Sequence, residues 1–344
     1  MTRTLAAFTI CAAVALGVGA CGGDEPEQQA SGDKPDAAAN APERATVRWG
    51  QAVFSGAYWA IYAAQEQGYF EDENLDFKLS IVPSSPSLIA AAEGGSLDIL
   101  AVAGDTGIAA IAGGANVRLI AGIQRVSALQ FVAGKDIKTA ADLKGEALGA
   151  TNLTSSDALF ARQFVEKNGG LGEDDYKMIA VGTFPQRAAA VQAGQIKGAM
   201  LTEPWTSELE SEGFPVLGTA QESLGTNFNF INIAVRTSWA EEHRDVVVRF
   251  LRAYEKAVDW LLDPANKEGA LALLANDRVK LSREQAEATY DRFIAVDDKV
   301  LSGELTEEDV ATAIRLAKAA NVPKATDDVS AYADLSFLQE ATAG

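Results

Sequence analysis

Cysteine and histidine are nearly missing from this chain of 344 residues, which contains two cysteines and one histidine. Zinc sites are built mostly from these two residue types, and a single histidine cannot supply such a ligand set. The same shortage argues against Ser-His-Asp and Cys-His catalysis. The sequence also lacks a glycine-rich loop of the Walker or dinucleotide-binding type. We therefore predict no metal, no cofactor and no catalytic residue.

Basic residues are also few, because 29 lysines and arginines stand against 48 aspartates and glutamates and give a formal net charge of −19. Proteins that bind nucleic acids need a basic face for the phosphates. The sequence therefore predicts no nucleic-acid partner. Small anions are not excluded, because backbone donors at helix ends can act locally against the overall charge.

A single apolar run stands near the start of the chain, from Leu5 to Val18, and it is too short for a stable transmembrane helix. It follows Arg3 and ends in Val18-Gly19-Ala20-Cys21. This ending resembles the lipobox of bacterial lipoproteins, in which the cysteine is lipidated. We expect residues 1–20 to be a signal peptide and Cys21 to anchor an exported protein to the outer face of the bacterial cytoplasmic membrane. Ordinary secretion is the alternative.

Residues 21–45 comprise the lipidated cysteine and a segment from Gly22 to Ala45 that contains no large apolar side chain. Such a segment cannot bury a core, and it is predicted to be a disordered tether. A flexible chain of this length spans roughly 25–30 Å. That reach would hold a folded domain close to the membrane.

A strand–helix–strand pattern occurs twice in the folded part of the chain. The first copy runs from Ile81 to Thr106, and the second runs from Val181 to Trp205. Aligned without gaps, the two copies pair Val82 with Val181, Pro86 with Pro185, Gly95 with Gly194 and Leu97 with Ile196. In each copy, polar residues and a proline precede the helix, as is common at helix starts. The repeat predicts two similar α/β lobes.

Five turns rich in small, hydroxyl or aromatic residues stand at the predicted strand ends, each before a helix. Ligands in open α/β sheets bind beyond the carboxyl ends of strands and against helix N-termini. Hydroxyl and backbone N–H groups there could hold an oxyanion, and aromatic rings could enclose an organic group. The predicted ligand-binding residues are Phe54, Ser55, Gly56, Tyr58, Ser84, Ser85, Asp105, Thr106, Thr154, Ser155, Phe184, Glu203 and Trp205. Each turn by itself is more typical of a plain helix cap, and five such turns at equivalent places favour a ligand site instead.

From Val47 to about Leu262, the chain resembles the substrate-binding proteins of ABC importers of the nitrate, sulfonate, taurine and thiamine-precursor group. The segments that carry the resemblance are Gln67-Gly68-Tyr69-Phe70, Ala90 to Asp98, Ala141-Asp142-Leu143-Lys144-Gly145, Gln192 to Ala199 and Glu203-Pro204-Trp205. The resemblance implies a two-lobed type II periplasmic-binding-protein-like α/β fold, in which each lobe has a central sheet flanked by helices. It also implies closure on a ligand, with the turns described above as ligand contacts.

The predicted first lobe is discontinuous and comprises residues 46–125 and 231–344, and residues 126–230 form the second lobe. Residues after Ala240 have a helical pattern throughout, including a last helix from Val329 to Leu338. We expect this helical C-terminal tail to pack on the first lobe. The predicted protein is a monomer that binds a small polar organic molecule, delivers it to ABC permease subunits and attaches to the membrane through lipid on Cys21.

The substrate stays open at this stage among sulfonate- or taurine-like, nitrate-like and pyrimidine-like molecules. Glu203, if it faces the cleft, and Asp105 would favour an amine or a protonated ring nitrogen. Arg125 and Arg187 are candidate partners for an anion, although long charged side chains usually keep their ends in water. Two other functions remain alternatives: a surface ligand-sensing or adhesive lipoprotein, and an enzyme similar to pyrimidine-precursor synthases. The shortage of histidine and cysteine argues against the enzyme.

Overall fold

The computed structural model describes residues 42–226, 228–295, 300–320 and 322–343. The predicted signal peptide, Cys21 and most of the predicted tether lie outside these residues. Within the described ranges, the chain contains two five-stranded sheets. The first sheet contains β1 (Ala45–Gln51), β2 (Leu75–Ile81), β3 (Ile99–Ala103), β4 (Val117–Arg125) and the last strand of the chain, β10 (Asn229–Arg236). The second sheet contains β5 (Gln130–Ala133), β6 (Ala147–Ala150), β7 (Lys177–Ala180), β8 (Gly198–Leu201) and β9 (Val216–Thr219).

The two sheets have the same topology. The spatial order is β2-β1-β3-β10-β4 in the first and β7-β6-β8-β5-β9 in the second. In each sheet three neighbouring strands are parallel, and the fourth strand in this order is antiparallel to both of its neighbours. The antiparallel strand in each sheet is the one that the chain enters directly after it passes from one sheet to the other. It is β5 after the first passage and β10 after the second.

Helices surround both sheets. In chain order they are α1 (Trp59–Glu66), α2 (Tyr69–Asp72), α3 (Ser85–Glu93), α4 (Gly104–Ala112), α5 (Ser156–Gly169), α6 (Phe184–Gln192), α7 (Trp205–Ser211), α8 (Ala220–Leu224), α9 (Thr237–Glu242), α10 (Arg244–Leu262), α11 (Lys267–Ala275), α12 (Arg283–Phe293), α13 (Glu307–Ala319) and α14 (Ser336–Thr342). In the described part of the chain, none of these helices is long and apolar enough to cross a membrane.

The predicted repeat is confirmed, because β2–α3–β3 and β7–α6–β8 occupy the same places in the two sheets. Equivalent residues differ by 99 positions beyond the two aligned segments as well, so that Gly50 of β1 corresponds to Gly149 of β6. A methyl group on Gly50 would overlap Leu97, and one on Gly149 would overlap Ile196, which is the equivalent of Leu97. Both copies therefore need glycine at this position, because the segment that leads into the next strand packs against it.

Two short segments connect the sheets. The first, residues 126–129, joins β4 to β5, and the second, residues 220–228, joins β9 to β10. The segments are hydrogen-bonded to each other, because Val126 N donates to Phe228 O at 2.9 Å. In addition, Ala220 N donates to Leu129 O at 2.8 Å. The chain therefore passes between the sheets twice in one place, which is the arrangement that a hinge requires.

The C-terminal helices pack mainly on the first sheet. Phe250 of α10 is fully buried and stacks on Trp49 of β1, with ring centroids 5.8 Å apart. One helix of the tail also contacts the part of the chain that forms the second sheet, because Arg292 of α12 pairs with Glu203, just before α7, and with Glu210 of α7. The last predicted helix, Val329 to Leu338, is wrong in extent. A 3₁₀ turn occupies Val329–Ala331, and α14 begins only at Ser336.

Glu255 of α10 is a mostly buried carboxylate, and it leads to a pH-dependent prediction. Burial raises its pKa from 4.5 to about 7, and the neighbouring carboxylates of Asp259 and Glu304 add to this shift. The folded protein therefore holds this proton more tightly than the unfolded chain. The resulting stabilisation is complete below the unfolded pKa and is lost as the pH rises through the folded pKa.

We expect Glu255→Gln to remove this loss. At pH values above about 7, the variant should exceed the natural protein in free energy of unfolding by on the order of 2 kcal/mol. Below pH 4.5 the difference should disappear. Urea unfolding measured across this pH range tests the prediction, and Glu241→Gln, at an exposed position of α9, is the control. Equal pH dependence in the two variants would contradict it.

Candidate functional site

A cavity of about 170 Å³ lies at the carboxyl ends of strands from both sheets. Residues just after β1 and β2 and at the end of β3 line one side, and residues just after β6, β7 and β8 line the other. Phe230 and Ile231 of β10 complete the lining. The site therefore stands where α/β proteins bind ligands, and both copies of the repeat contribute to it.

Side chains from the first half of the chain give the cavity hydroxyl groups and one carboxylate. Ser84 is the N-cap of α3, and its Oγ accepts a hydrogen bond from Ser87 N at 3.2 Å. Ser85 Oγ accepts from Ala103 N at 3.2 Å, which ties α3 to the end of β3. Burial raises the pKa of Tyr58 to about 12, so its hydroxyl group is neutral.

The second half contributes an ion pair, Arg187 with Asp157, whose Nη1 and Oδ2 atoms are 3.3 Å apart. Arg187 is only 1% exposed, although Pro185 and Gln186 just before it on α6 are exposed. Its Nη1 also donates to Thr151 Oγ1 at 2.7 Å, and its Nε donates to Met200 O at 3.3 Å. Burial lowers the pKa of the Arg187 guanidinium, and the charge of Asp157 opposes that shift.

The repeat shows how unusual this arginine is. The residue equivalent to Arg187 in the first copy is Leu88, which is also 1% exposed. The equivalent of Asp157 is Tyr58. One copy therefore places an apolar and an aromatic side chain where the other places a buried ion pair. The resulting charges lie on one side of a cavity whose scaffold is otherwise symmetrical.

Asp105 joins the two sides of the cavity. It lies in the first turn of α4, and its Oδ2 accepts a hydrogen bond from Ser156 N, the first residue of α5, at 2.9 Å. Burial raises the pKa of Asp105, and hydrogen bonds from the backbone of Thr106 and Ser156 oppose the shift. The predicted turn Gly104-Asp105-Thr106 is thus the start of a helix, because α4 begins directly at Gly104.

Comparison with known proteins identifies the family. The model of the family described as NMT1/THI5 like matches residues 57–267, which is more than half of the chain. The chain belongs to the NMT1/THI5-like family. The match includes α1, the whole second sheet and most of the first, and it includes all of the cavity lining except Ala52, Val53 and Ser55.

A named relative matches part of the chain. The nitrate/nitrite binding protein NrtA of Synechococcus elongatus is 24% identical over 120 residues, which are 35% of this chain. The match spans only 27% of that relative, so the chain corresponds to about a quarter of its length.

Solved structures share the fold at lower sequence identity. The periplasmic nitrate-binding protein NrtA of Synechocystis PCC 6803 has a TM-score of 0.74 at 17% identity, over 88% of this chain and 90% of that one. The alkanesulfonate-binding protein SsuA of Xanthomonas axonopodis pv. citri, bound to MOPS, has a TM-score of 0.69 at 21% identity, over 85% and 99% of the two chains. The predicted periplasmic-binding-protein-like α/β fold is confirmed by these likenesses and by the two helix-flanked sheets.

The structure of this NMT1/THI5-like chain brings most of the predicted binding residues together. Those that line the cavity are Ser55, Tyr58, Ser84, Ser85, Asp105, Thr106, Ser155 and Phe184. The others, Phe54, Gly56, Thr154, Glu203 and Trp205, lie outside its lining. Whether the lining residues bind a ligand stays a prediction.

Glu203 faces away from the cavity, contrary to the conditional expectation from the sequence. It is 1% exposed, and its Oε1 lies 2.9 Å from Arg292 Nε on α12. Its Oε2 accepts a hydrogen bond from Ser207 Oγ at 2.6 Å. Burial raises the pKa of Glu203, and the contacts with Ser207 and Arg292 oppose this shift. The Arg292 guanidinium of the C-terminal tail thus pairs with Glu203, where the sequence analysis had considered a positively charged ligand group.

The remaining four residues support the site from behind or beside it. Trp205 stacks on the Phe184 ring, with centroids 5.7 Å apart, and Phe54 packs against Tyr62. Gly56 is buried, and a methyl group there would overlap Thr289 of α12. Thr154 lines a neighbouring cavity of about 390 Å³ between α4, α5 and α13.

The two arginines weighed as anion partners have different environments. Arg125 does not line the cavity, and its Nη1 lies 3.3 Å from Asp309 Oδ1 of α13. Arg187 lines the cavity, whereas the sequence analysis favoured a solvated side chain at this position.

The cavity lining also contains Asp157, Thr151 and Thr202, which the sequence analysis did not predict. The repeat could have located Asp157, because it aligns with the predicted residue Tyr58 of the first copy. In the part of the chain that the structure describes, no group of three His, Cys, Asp or Glu side chains is placed to hold a metal ion.

Proposed function

We propose that this protein is the solute-binding component of an ABC importer. It captures a small polar organic molecule between its two halves and delivers it to the permease. The observation that carries this proposal is the cavity at the strand ends of both repeats, lined by hydroxyl groups, a buried ion pair and aromatic rings. Concave sites with a largely apolar lining and a few placed polar groups are typical of small-ligand sites.

The named relatives support binding rather than catalysis. NrtA of Synechococcus elongatus is named for nitrate and nitrite binding, and SsuA of Xanthomonas axonopodis pv. citri is named for alkanesulfonate binding. For this chain we keep three candidate classes: sulfonate- or taurine-like, nitrate-like and pyrimidine-like molecules.

The proposed mechanism is closure on the ligand. Residues 46–125 and 231–344 would form one lobe and residues 126–230 the other, with the two crossing segments as the hinge. A ligand that contacts both lobes stabilises the closed state over the open one. The Asp105–Ser156 hydrogen bond is one contact that would form only in the closed arrangement.

We further propose that the protein is exported as a monomer and held to the membrane through lipid on Cys21. Mass spectrometry of the N-terminal peptide after extraction from membranes would test this anchor. A peptide that begins before Cys21, or that carries no lipid, would contradict it.

Thermal shift of the purified full chain against small solutes tests the solute-binding proposal. The panel contains taurine, alkyl- and arylsulfonates, nitrate, aromatic carboxylates, amines and pyrimidines, added to protein that was unfolded and refolded to remove any carried-over ligand. A ligand at one hundred times its dissociation constant stabilises the folded protein by about 2.7 kcal/mol.

A matched pair of variants locates the binding. Thr106→Tyr should block the cavity and abolish the shift, because Thr106 lines it. Ala189→Tyr adds the same group at an exposed position of α6 and should keep the shift. No shift with any solute, or the same shift in both variants, would count against the proposal.

A further inference from the structure

Three of the described residues that line the cavity carry a charge: Asp105, Asp157 and Arg187. Arg187 and Asp157 form an ion pair, so their charges compensate each other. When Asp105 is ionised, its carboxylate is a negative charge that no second cation of the described lining compensates. Its hydrogen-bond partners are neutral groups of Thr106 and Ser156, among them Ser156 N at 2.9 Å and Thr106 Oγ1 at 3.4 Å. A ligand with a positive charge would complete the charge balance of the site.

Three backbone donors at or beside the cavity are already used by the chain itself. Asp105 occupies Ser156 N at the start of α5, and Ser84 Oγ occupies Ser87 N at the start of α3. Asp157 Oδ2 accepts from Thr151 N at 2.8 Å, just after β6. An anionic ligand that bound these three donors would have to displace the groups that now accept from them, and at α5 it would also lie against the carboxylate that it displaced.

The remaining walls favour a flat apolar body. Phe184 lines the cavity and is held between the Trp205 ring, at 5.7 Å, and the Arg187 guanidinium, at 4.6 Å from the ring centroid. Phe230 and Ile231 approach from β10. Cavities of about 150 Å³ accommodate benzene, so the 170 Å³ here suffice for one aromatic ring with a small head group.

We propose that the cavity selects a small organic cation, a protonated amine or amidine on a flat apolar body, with the Asp105 carboxylate as its charge partner. This inference rests on the proposed solute binding, and it disfavours the nitrate-like and sulfonate-like candidates because they are anionic. The hydroxyl groups of Ser84, Ser85 and Ser155 lie in the same lining and would accept further N–H donors of the head group. Ion-paired hydrogen bonds of this kind are stronger and more selective than neutral ones.

Isothermal titration with four ligands that differ in their head group tests the inference. The probes are benzylammonium, benzyl alcohol, benzoate and benzenesulfonate, titrated at neutral pH into the full chain. Benzylammonium should bind at least about tenfold more tightly than each of the other three, a difference of about 1.4 kcal/mol.

Variants at Asp105 separate charge from structure. Asp105→Asn keeps an oxygen that can accept from Ser156 N but loses the charge, so the advantage of benzylammonium over benzyl alcohol should vanish. Asp105→Glu keeps the charge and should retain a preference for the cation. Asp174→Asn removes one negative charge at an exposed turn and should leave all four affinities unchanged.

Tighter binding of benzoate or benzenesulfonate than of benzylammonium would overturn the inference and at the same time support solute binding. An advantage of benzylammonium that survives in Asp105→Asn would overturn the role of Asp105. Absence of binding by all four probes would also overturn the inference for this class. The proposed function would then be decided by the wider panel, in which a shift with any solute would sustain it.

Discussion

Replacement of Phe250 by alanine is expected to lower the free energy of unfolding by about 3–5 kcal/mol. The ring is fully buried, and its centroid lies 5.8 Å from Trp49, 5.5 Å from Phe70 and 6.4 Å from Phe77. These rings come from β1, α2 and β2, so one side chain of α10 connects three early segments. The variant leaves a cavity at their junction. Urea unfolding followed by tryptophan fluorescence measures the loss, since Trp49 is adjacent.

Leu262→Ala is the matched control, because Leu262 lies on the same helix and is 39% exposed. Its loss of stability should be a small fraction of that of Phe250→Ala, whereas Phe250→Leu should fall between them. If Phe250→Ala and Leu262→Ala were equally mild, α10 would not be the element that holds the C-terminal helices on the first sheet.

Much of the fold could be predicted because its signals are local. Val246, Val247, Phe250, Leu251 and Tyr254 recur at helical spacing, and α10 buries all of them. The repeated strand–helix–strand pattern also follows from residues close together in sequence. Ser84 is the N-cap of α3 and is followed by Pro86 in the first turn, as predicted.

The predicted helix bounds were wrong at polar residues that suit both a turn and the start of a helix. Asp334 Oδ1 accepts from Ser336 N at 3.0 Å, and this turn interrupts the helix that was predicted from Val329 to Leu338. Asp105 stands in the first turn of α4, since acidic residues suit that position as well as they suit a turn. Local sequence does not decide between such alternatives, because the neighbouring chain determines which hydrogen bonds form.

The candidate site was harder to predict because its polar residues depend on distant partners. Glu203 turns away from the cavity toward Arg292, which belongs to the C-terminal tail. Arg187 is buried because Asp157 and Thr151 meet it from another segment. The turns could be located from the strand pattern, whereas the direction of each charged side chain could not.

The buried ion pair leads to the second large prediction. Arg187→Leu, which introduces the residue found at the equivalent position of the first copy, is expected to cost about 3–5 kcal/mol of stability. The reason is that Asp157, itself 4% exposed, would keep a buried charge without its cation. The neighbouring Asp105 carboxylate would increase this cost. Urea unfolding without added ligand measures the effect.

A double-mutant cycle shows whether the pair or the arginine side chain carries the stability. Arg187→Leu combined with Asp157→Asn removes both charges, so the double variant should be more stable than Arg187→Leu alone. Arg315→Leu removes an arginine that is 57% exposed and pairs with Glu308, and it should barely change the unfolding midpoint. Additive losses in the cycle would mean that Arg187 acts through packing alone. If the double variant instead regained stability relative to Arg187→Leu, the result would show that burying a guanidinium and a carboxylate beside the cavity costs free energy of folding. Such a cost is expected where the charges serve the site rather than the fold.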